Sequence, residues 1–187
     1  HASIPHFGID PMPAAAEVVG ALSTMVTRRI EAFDPAIVTV AHLTGGSTHN
    51  VIPEQVLMEG TVRCVSAHTR DRVETLFAEV VHGVASAHGC TAEIDYTRGY
   101  PVTVNNAEMT ELVGDVCEQV LGPDRMFPLP SPVMGAEDYS YILERVPGAM
   151  AFLGVCPADI ENFLEAPACH SDVMRLNEDA LPLGAAM

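Results

Sequence analysis

The sequence predicts a mixed α/β fold, and three patterns in its first hundred residues carry that prediction. Two segments repeat apolar residues at the three- and four-residue spacing of amphipathic helices. Two strand-like segments lie between those helices, and a third alternating segment follows them. The resulting order, α-β-β-α-β over residues 1–98, matches a ferredoxin-like β-α-β-β-α-β repeat that lacks its first strand. We expect the missing strand to lie upstream of His1, as it would in a fragment.

The two helices of this repeat are predicted from their ends as well as from their periodicity. Asp10 precedes Pro11, and aspartate is a favoured helix cap while proline is favoured at the first helical position. The second helix is predicted to end at His88 and Gly89, because glycine is typical just after a helix C-terminus.

The strands are predicted from β-branched content and from alternation. Residues 36–43 are rich in valine, isoleucine and threonine, and residues 56–65 alternate apolar with polar side chains, as expected of a strand with one solvated face. Residues 91–98 alternate in the same way. The side chains predicted to face inward from that last segment are Ala92, Ile94 and Tyr96.

A change in character at residues 98–108 predicts a boundary between two domains, 1–100 and 101–187. The second domain contains few predicted elements: a helix at 107–121, a short helix from Glu137, a strand at 149–154 and a last helical turn near 177–182. So few elements cannot bury an independent core. We therefore expect this domain to be the end of a larger α/β domain.

Composition excludes several classes of partner. The net charge is −16 and the isoelectric point about 4.6, whereas nucleic acids and anionic membranes require a basic face. No apolar run approaches the roughly 18 residues of a membrane-spanning helix. The five cysteines form no C-x-x-C pair and lie in apolar stretches, which favours buried, reduced thiols in a cytoplasmic protein.

Four stretches, in this order, resemble one family: HASIPHFGIDPMPAA, GGSTHNVIPEQVLMEGTVR, MGAEDYSYILERVPGAMAFLG and CHSDVMRLNEDALPLGA. They are similar to the C-terminal part of the di-metal amidohydrolases related to hippurate hydrolase, the N-acyl-amino-acid amidohydrolases and the plant indole-acetyl-amino-acid hydrolases. The resemblance covers essentially the whole chain.

The resemblance implies that residues 1–100 are most of a lid domain that also forms a homodimer, and that residues 101–187 close the catalytic α/β domain. It implies an N-acyl amino acid as substrate and two divalent metal ions, zinc or manganese, as cofactors. Most metal ligands of the family lie upstream of this sequence. We therefore expect the fragment alone to bind no metal and to be inactive.

Two histidines gain roles from the resemblance. His170 corresponds to the last metal ligand of the family, although a lone histidine is more often an ordinary surface residue. His1 corresponds to the lid histidine that stabilises the oxyanion of the tetrahedral intermediate in the partner subunit's active site. The competing interpretation of His1 is a frayed terminal residue without function.

Three further residues are expected to contact substrate, each with a structural alternative. Asn50 resembles the lid asparagine near the substrate carboxylate, but it could instead satisfy the local backbone of a hairpin. Arg63 suits a carboxylate through a bidentate pair, or it could form a surface ion pair with Glu59. Gly135 resembles a glycine that lines the substrate pocket, and it is predicted to begin a short helix whose first N–H groups could face an anion. The carboxylates in the first turn of that helix could instead have only a structural role, favoured by the helix dipole.

The sequence leaves functions of different classes open. The leading hypothesis is a fragment of a metal-dependent amidohydrolase. A ferredoxin-like module also serves as a dimerisation or small-molecule-binding domain, and a truncated remnant without function is a third possibility. The motif around His170 favours the enzyme, since a sensor module has no need for it.

Overall fold

The computed structural model describes all residues, 1–187, and its contacts divide the chain into two compact units. The first unit comprises His1–Val102 together with Pro132–Glu137, and the second comprises Thr103–Ser131 and Asp138–Met187.

The first unit consists of two helices and a two-stranded antiparallel sheet. Its elements, in chain order, are α1 (Pro11–Arg29), β1 (Ala36–Gly45), β2 (Val56–Cys64) and α2 (Ala67–Ala87). A single 3₁₀ turn, Pro5–Phe7, precedes α1. The predicted order α-β-β-α is therefore confirmed, with boundaries close to those expected.

Both helices begin at a side-chain cap, and that of α1 is the predicted one. The carboxylate Oδ1 of Asp10 accepts the N–H of Met12 at 2.9 Å, and Pro11 occupies the first helical position. At the start of α2, Ser66 Oγ accepts the N–H of Thr69 at 3.0 Å. Each cap satisfies a backbone donor that the helix itself leaves unpaired.

The core of this unit lies between the two helices and one face of the sheet. Leu76 and Val73 on α2 are completely buried, and three α1 side chains pack against them. The buried cluster consists of Val18, Leu22, Met25, Ala36, Val73, Leu76 and Val81. The apolar side of β2 packs against this cluster, as its alternation predicts, and its three contributing residues are Met58, Val62 and Cys64.

The hairpin contains one irregularity. Residues pair regularly from Ala36 opposite Cys64 as far as Val40 opposite Gly60, and then His42 lies opposite Glu59, so that Ala41 forms a β-bulge. Gly60 makes the close approach of the strands possible at this point. A Cβ on Gly60 would lie 2.3 Å from the carbonyl oxygen of Thr39, which no real side chain tolerates.

The third predicted strand, residues 91–98, does not form. Its side chains alternate in burial as expected, with Ala92 and Ile94 against the core and the Tyr96 ring 5.7 Å from the Phe77 ring in an edge-on arrangement. However, it shares no ladder with β1 or β2. A strand requires a hydrogen-bonded neighbour in addition to a buried face, so the prediction is wrong about the ladder and right about the face.

The second unit contains α3 (Ala107–Leu121), α4 (Ser140–Leu143) and α5 (Leu181–Ala186), with two 3₁₀ turns, Phe163–Glu165 and Glu178–Ala180. Asn106 caps α3 by accepting the N–H of Met109, and Gly122 ends it at φ +89°. Of the apolar side chains along α3, only Cys117 is fully buried.

Two predictions for the second unit are wrong. The short helix starts at Ser140 rather than Glu137, and the segment 149–154 is not a strand. Instead of a ladder, the side-chain amide of Asn105 pairs with both backbone groups of Met150, accepting its N–H at 2.9 Å and donating to its carbonyl at 3.0 Å. One amide side chain thus replaces a strand partner at that residue.

The cysteines form no disulfide bond, and they differ in exposure. All five cysteines are free, but only Cys117 is buried, and Cys169 is exposed, so the expectation of uniformly buried thiols is wrong. No helix in the structure combines the length and the apolar character needed to cross a membrane.

Candidate functional site

His1 lies in a tight turn whose side chain and backbone are both hydrogen bonded. Its carbonyl oxygen accepts the N–H of Ile4 at 3.0 Å. Its imidazole Nδ1 accepts the backbone N–H of Ser3 at 3.2 Å and lies 2.7 Å from Ser3 Oγ. The ring is therefore held over its own turn by hydrogen bonds with Ser3.

Asn50 lies in the loop between β1 and β2, and Gly46 at φ +76° turns the chain out of β1 into this loop. The side-chain Oδ1 of Asn50 lies 3.3 Å from the hydroxyl of Thr48, which donates to it. No backbone group is hydrogen bonded to the Asn50 side chain. The alternative in which that side chain only satisfies the local backbone is therefore wrong.

The structure brings His1 and Asn50 to the same place. The backbone N–H of Ala2, next to His1, donates to the carbonyl oxygen of Asn50 at 3.0 Å. This single bond joins the N-terminal turn to the hairpin loop across 48 residues of sequence. Two of the predicted site residues are therefore neighbours, and both are exposed.

Arg63 lies near the end of β2 on the exposed face of the sheet, opposite Ile37 of β1. The proposed ion pair with Glu59 does not form. Residues four apart on a strand are separated by roughly 13 Å at about 3.3 Å per residue. Glu59 instead pairs across the strands with His42, whose Nδ1 lies 2.6 Å from its carboxylate. No hydrogen bond or ion pair engages the Arg63 guanidinium, and none joins Arg63 to His1 or Asn50.

Gly135 is exposed and lies outside any helix. A Cβ placed on it would meet only Val133, at 3.8 Å, so no close packing requires a glycine here. Because the nearest helix begins five residues later and is one turn long, the prediction that Gly135 starts a helix with anion-binding N–H groups is wrong.

His170 occupies the third position of a turn in the second unit. The N–H of Ser171 donates to the carbonyl of Ala168 at 3.1 Å and closes this turn, and His170 adopts φ +72°. That left-handed conformation is uncommon for any residue except glycine, although histidine is among the side chains that adopt it more often. The residue is exposed.

Within residues 1–187, no group of three or more His, Cys, Asp or Glu side chains is arranged to hold a metal ion. Catalytic zinc sites use about three protein ligands. His170 can therefore supply at most one ligand of such a centre, and the side chains of this chain do not form a complete metal site by themselves.

Two contributors to the site escaped the sequence reasoning, namely Ser3 and Thr48. Each is a hydroxyl residue two positions from the side chain to which it is bonded. Short hydroxyl side chains are typical partners in such local turns, and that spacing was the available signal.

The chain belongs to the peptidase family M20/M25/M40, whose pattern it matches over residues 8–187. This family membership confirms the resemblance on which the site residues were chosen.

Two curated relatives illustrate the similarity. The chain is 36% identical over its full length to IAA-amino acid hydrolase ILR1-like 2 of Arabidopsis thaliana, of which the match covers 42%. It is 37% identical over 82% of its length to N-acetyl-L-cysteine deacetylase of Bacillus subtilis, of which the match covers 36%. The chain therefore spans less than half the length of these relatives.

A solved structure of a member of this family is also similar to this chain. The YXEP protein of Bacillus subtilis, described as a dinuclear metal-binding peptidase from the M20 family, is similar to 95% of this chain, with a TM-score of 0.73 and 26% sequence identity. Here too the chain covers only part of its relative, 43% of it.

Proposed function

We propose that this chain contributes the lid and the last metal ligand of a metal-dependent hydrolase that cleaves the amide bond of N-acyl amino acids or similar small substrates. The observation that carries the proposal is the backbone hydrogen bond from Ala2 to Asn50, which fastens the turn that carries His1 to the loop that carries Asn50. Family membership and the names of the two curated relatives, a hydrolase of IAA-amino acids and an N-acetyl-L-cysteine deacetylase, support the substrate class.

His1 offers a hydrogen-bond donor to the scissile carbonyl of such a substrate, and Asn50 offers one to a group near the substrate carboxylate. The Nε2 of His1 and the Nδ2 of Asn50 are free of partners within the chain. When water attacks an amide carbonyl, negative charge develops on its oxygen, and a preorganised donor stabilises that charge by a few kcal/mol. We assign the oxyanion to His1 and a polar group of the substrate to Asn50.

Arg63 is proposed to bind the carboxylate of the amino-acid part. Its guanidinium is exposed and unpaired, so that all its donors remain available for a bidentate contact with a carboxylate. Gly135 stays a proposed lining residue of the substrate pocket, without the helix that was expected to aim its N–H.

His170 is proposed as one ligand of a pair of divalent metal ions, which would polarise the substrate carbonyl and lower the pKa of bound water. The remaining ligands would come from residues outside this sequence. We therefore expect the 187-residue chain alone to hold no stoichiometric zinc or manganese and to be inactive.

The lid is also proposed to form a homodimer. An open groove runs along α1, and its floor includes Gly20, Ala21 and Thr24, whose small side chains allow a second helix to approach closely. Charged side chains of both signs, Glu17 and Arg28, border it. Analytical ultracentrifugation of the chain should then show a dimer, which Ala21→Arg should convert into a monomer.

The hydrolase proposal is tested with a chimera. Residues 1–187 would replace the matching segment of the YXEP protein, and turnover of N-acetyl-L-cysteine, hippurate and an indole-acetyl amino acid would be measured with zinc or manganese. We expect hydrolysis of at least one substrate by the chimera, its loss with a chelator, and no hydrolysis by the 187-residue chain.

Two variants of the chimera sharpen this test. His170→Ala should lose activity and bound metal, whereas Arg63→Ala should mainly raise KM because it removes a ground-state contact. Circular dichroism would confirm that each protein is folded, and elemental analysis would show that the chimera and its Arg63→Ala variant hold metal whereas His170→Ala does not. A folded, loaded chimera that hydrolyses none of the three substrates would contradict the proposed function.

A further inference from the structure

We propose that Ser3 is a positioning residue that holds the imidazole of His1 in the tautomer with its proton on Nε2. This inference rests on the proposed function, in which His1 donates a hydrogen bond to the oxyanion. It adds a residue that touches neither substrate nor metal and acts only through His1.

The backbone N–H of Ser3 is a hydrogen-bond donor that cannot act as an acceptor. The backbone N–H of Ser3 lies 3.2 Å from Nδ1 of His1 with geometry suited to a hydrogen bond. A backbone N–H only donates, so Nδ1 must accept and cannot itself carry a proton. The neutral imidazole has a single ring proton, which must then lie on Nε2.

The side chain of Ser3 acts in the same direction. Its Oγ lies 2.7 Å from the same Nδ1. A hydroxyl can donate or accept, but beside an unprotonated nitrogen it donates. Two donors from one residue therefore converge on Nδ1 and disfavour a proton there.

The backbone around His1 keeps this arrangement in place. Ile4 donates its N–H to the His1 carbonyl at 3.0 Å, and Ala2 donates to Asn50 at 3.0 Å, so that the turn is closed and fastened to the hairpin loop. The 3₁₀ turn Pro5–Phe7 follows at once. Neither Ser3 nor His1 needs to reorganise when a substrate arrives.

The chemical consequence is that Nε2 of His1 carries the ring proton and acts as a hydrogen-bond donor. With Nδ1 occupied by Ser3, the outward Nε2–H can donate to a carbonyl oxygen while the ring stays neutral. The opposite tautomer would present a lone pair to that oxygen and repel the developing negative charge. Ser3 would thus decide whether His1 stabilises or opposes the transition state.

The tautomer is measured directly on the 187-residue chain. The protein would be labelled with ¹⁵N-histidine, and long-range ¹H–¹⁵N correlation spectra would be recorded at a pH where imidazole is neutral. The His1→Gln variant would identify the signals of His1. We expect Nε2 of His1 to show the shift of a protonated ring nitrogen and Nδ1 that of an unprotonated one.

Two variants at position 3 test the role of its side chain. Ser3→Asp keeps the backbone N–H but places beside Nδ1 a carboxylate that can only accept. A charge-assisted hydrogen bond from Nδ1–H to that carboxylate is stronger than the 3.2 Å bond from the backbone N–H, so the Nδ1–H form should become the major species. Ser3→Thr keeps the hydroxyl and should retain the wild-type spectrum. Because Ser3 is exposed, both variants should fold normally, which circular dichroism checks.

A wild-type His1 that is protonated on Nδ1 would overturn the inference, and so would a tautomer that Ser3→Asp leaves unchanged. These spectra need no substrate and no metal, so they test the tautomer of His1 independently of the hydrolase proposal. In the active chimera, Ser3→Asp should lower kcat at least tenfold with little change in KM, and Ser3→Thr should retain kcat. Equal losses of kcat in both variants would also count against a positioning role.

Discussion

The two units of this chain differ in how they hold their backbone. In the first unit, α1, α2 and β1 contribute side chains to one buried cluster, β2 packs against it, and the strands pair along almost their whole length. In the second unit, long extended segments lie between short helices, and buried side chains are few and scattered. The fully buried ones include Cys117, Ser140 and Ala180.

The difference shows that a sequence can specify a helix through local signals without that helix joining a shared buried core. The second unit has a well-capped helix, α3, yet most of the apolar stripe on that helix stays at least partly exposed. Its extended segments rely on single hydrogen bonds, such as those of Asn105 with Met150. We therefore expect substitutions in the first unit to dominate the stability of the chain.

The largest expected effect is that of Leu76→Ala. Leu76 is completely buried between α1 and the sheet, and removing it leaves a cavity, so the free energy of unfolding should fall by about 2–5 kcal/mol. Urea denaturation followed by circular dichroism measures this loss.

The matched control is Leu112→Ala on α3, where the leucine is 52% exposed. It should change the free energy of unfolding by no more than about 0.5 kcal/mol. If both variants lose the same amount, the contrast between the units is wrong.

The next effect is that of Gly60→Ala in β2. The new Cβ would collide with the carbonyl oxygen of Thr39, and because that atom belongs to the backbone it cannot swing aside. Strain of this kind costs roughly 1–3 kcal/mol, and thermal unfolding should show a lower Tm. The control Gly83→Ala lies on the exposed face of α2 with nothing near its Cβ, and it should stabilise the chain by up to about 1 kcal/mol.

A smaller effect depends on pH and concerns Asp34. The hydroxyls of Ser66 and Thr69, each 2.6 Å from its carboxylate, hold the pKa of Asp34 below its ordinary value of 3.8. A carboxyl whose pKa is lowered by folding stabilises the fold above its unfolded value and loses that contribution as the pH falls through the folded pKa. Wild type should therefore exceed Asp34→Asn in Tm at neutral pH, and the difference should vanish in strong acid.

The second unit offers a comparison for this carboxyl. The pKa of Asp159 is also lowered, by a hydrogen bond from Arg175 at 2.9 Å, but this pair is exposed and joins no core element. Asp159→Asn should leave the main unfolding transition unchanged at every pH. A pH-dependent shift in Tm as large as that of Asp34→Asn would show that the two carboxyls contribute equally to stability, and the contrast between the units would be wrong.

The smallest expected effect is that of Glu17→Gln. Glu17 on α1 lies 2.6 Å from the His88 imidazole just beyond α2, at the edge of the first unit. Partly exposed pairs contribute about 0–1 kcal/mol and are screened by salt. The loss of free energy of unfolding should therefore be measurable only in dilute buffer. The control Glu31→Gln, at a side chain without a partner, should leave the free energy of unfolding unchanged.

The helices of this protein could be predicted because their signals are local. Asp10 marks the start of α1, and His88 and Gly89 mark the end of α2, by the bonds or the conformation of the residues themselves, and the structure agrees with both predictions. The strands were predicted less well. Residues 91–98 and 149–154 have the composition of strands, but a ladder depends on a neighbour that composition does not specify.

The candidate site was predicted in its residues and only partly in its geometry. The motifs identified His1, Asn50, Arg63 and His170, and the hydrogen bond from Ala2 brings the first two together. The alternative ion pair of Arg63 with Glu59 does not form, because residues four apart on one strand are separated by roughly 13 Å. Glu59 pairs instead with His42, which the bulge at Ala41 places opposite it, and a bulge is a property of two strands rather than of either one.

The sequence by itself determined the family, the capped helices and the buried faces, because each depends on residue type and short-range spacing. Only the tertiary structure decided which extended segments pair, which charges meet across the sheet, and that Ser3 and Asn50 lie at the turn that holds His1. These features depend on where distant parts of the chain lie in space. Local spacing carries little information about such positions.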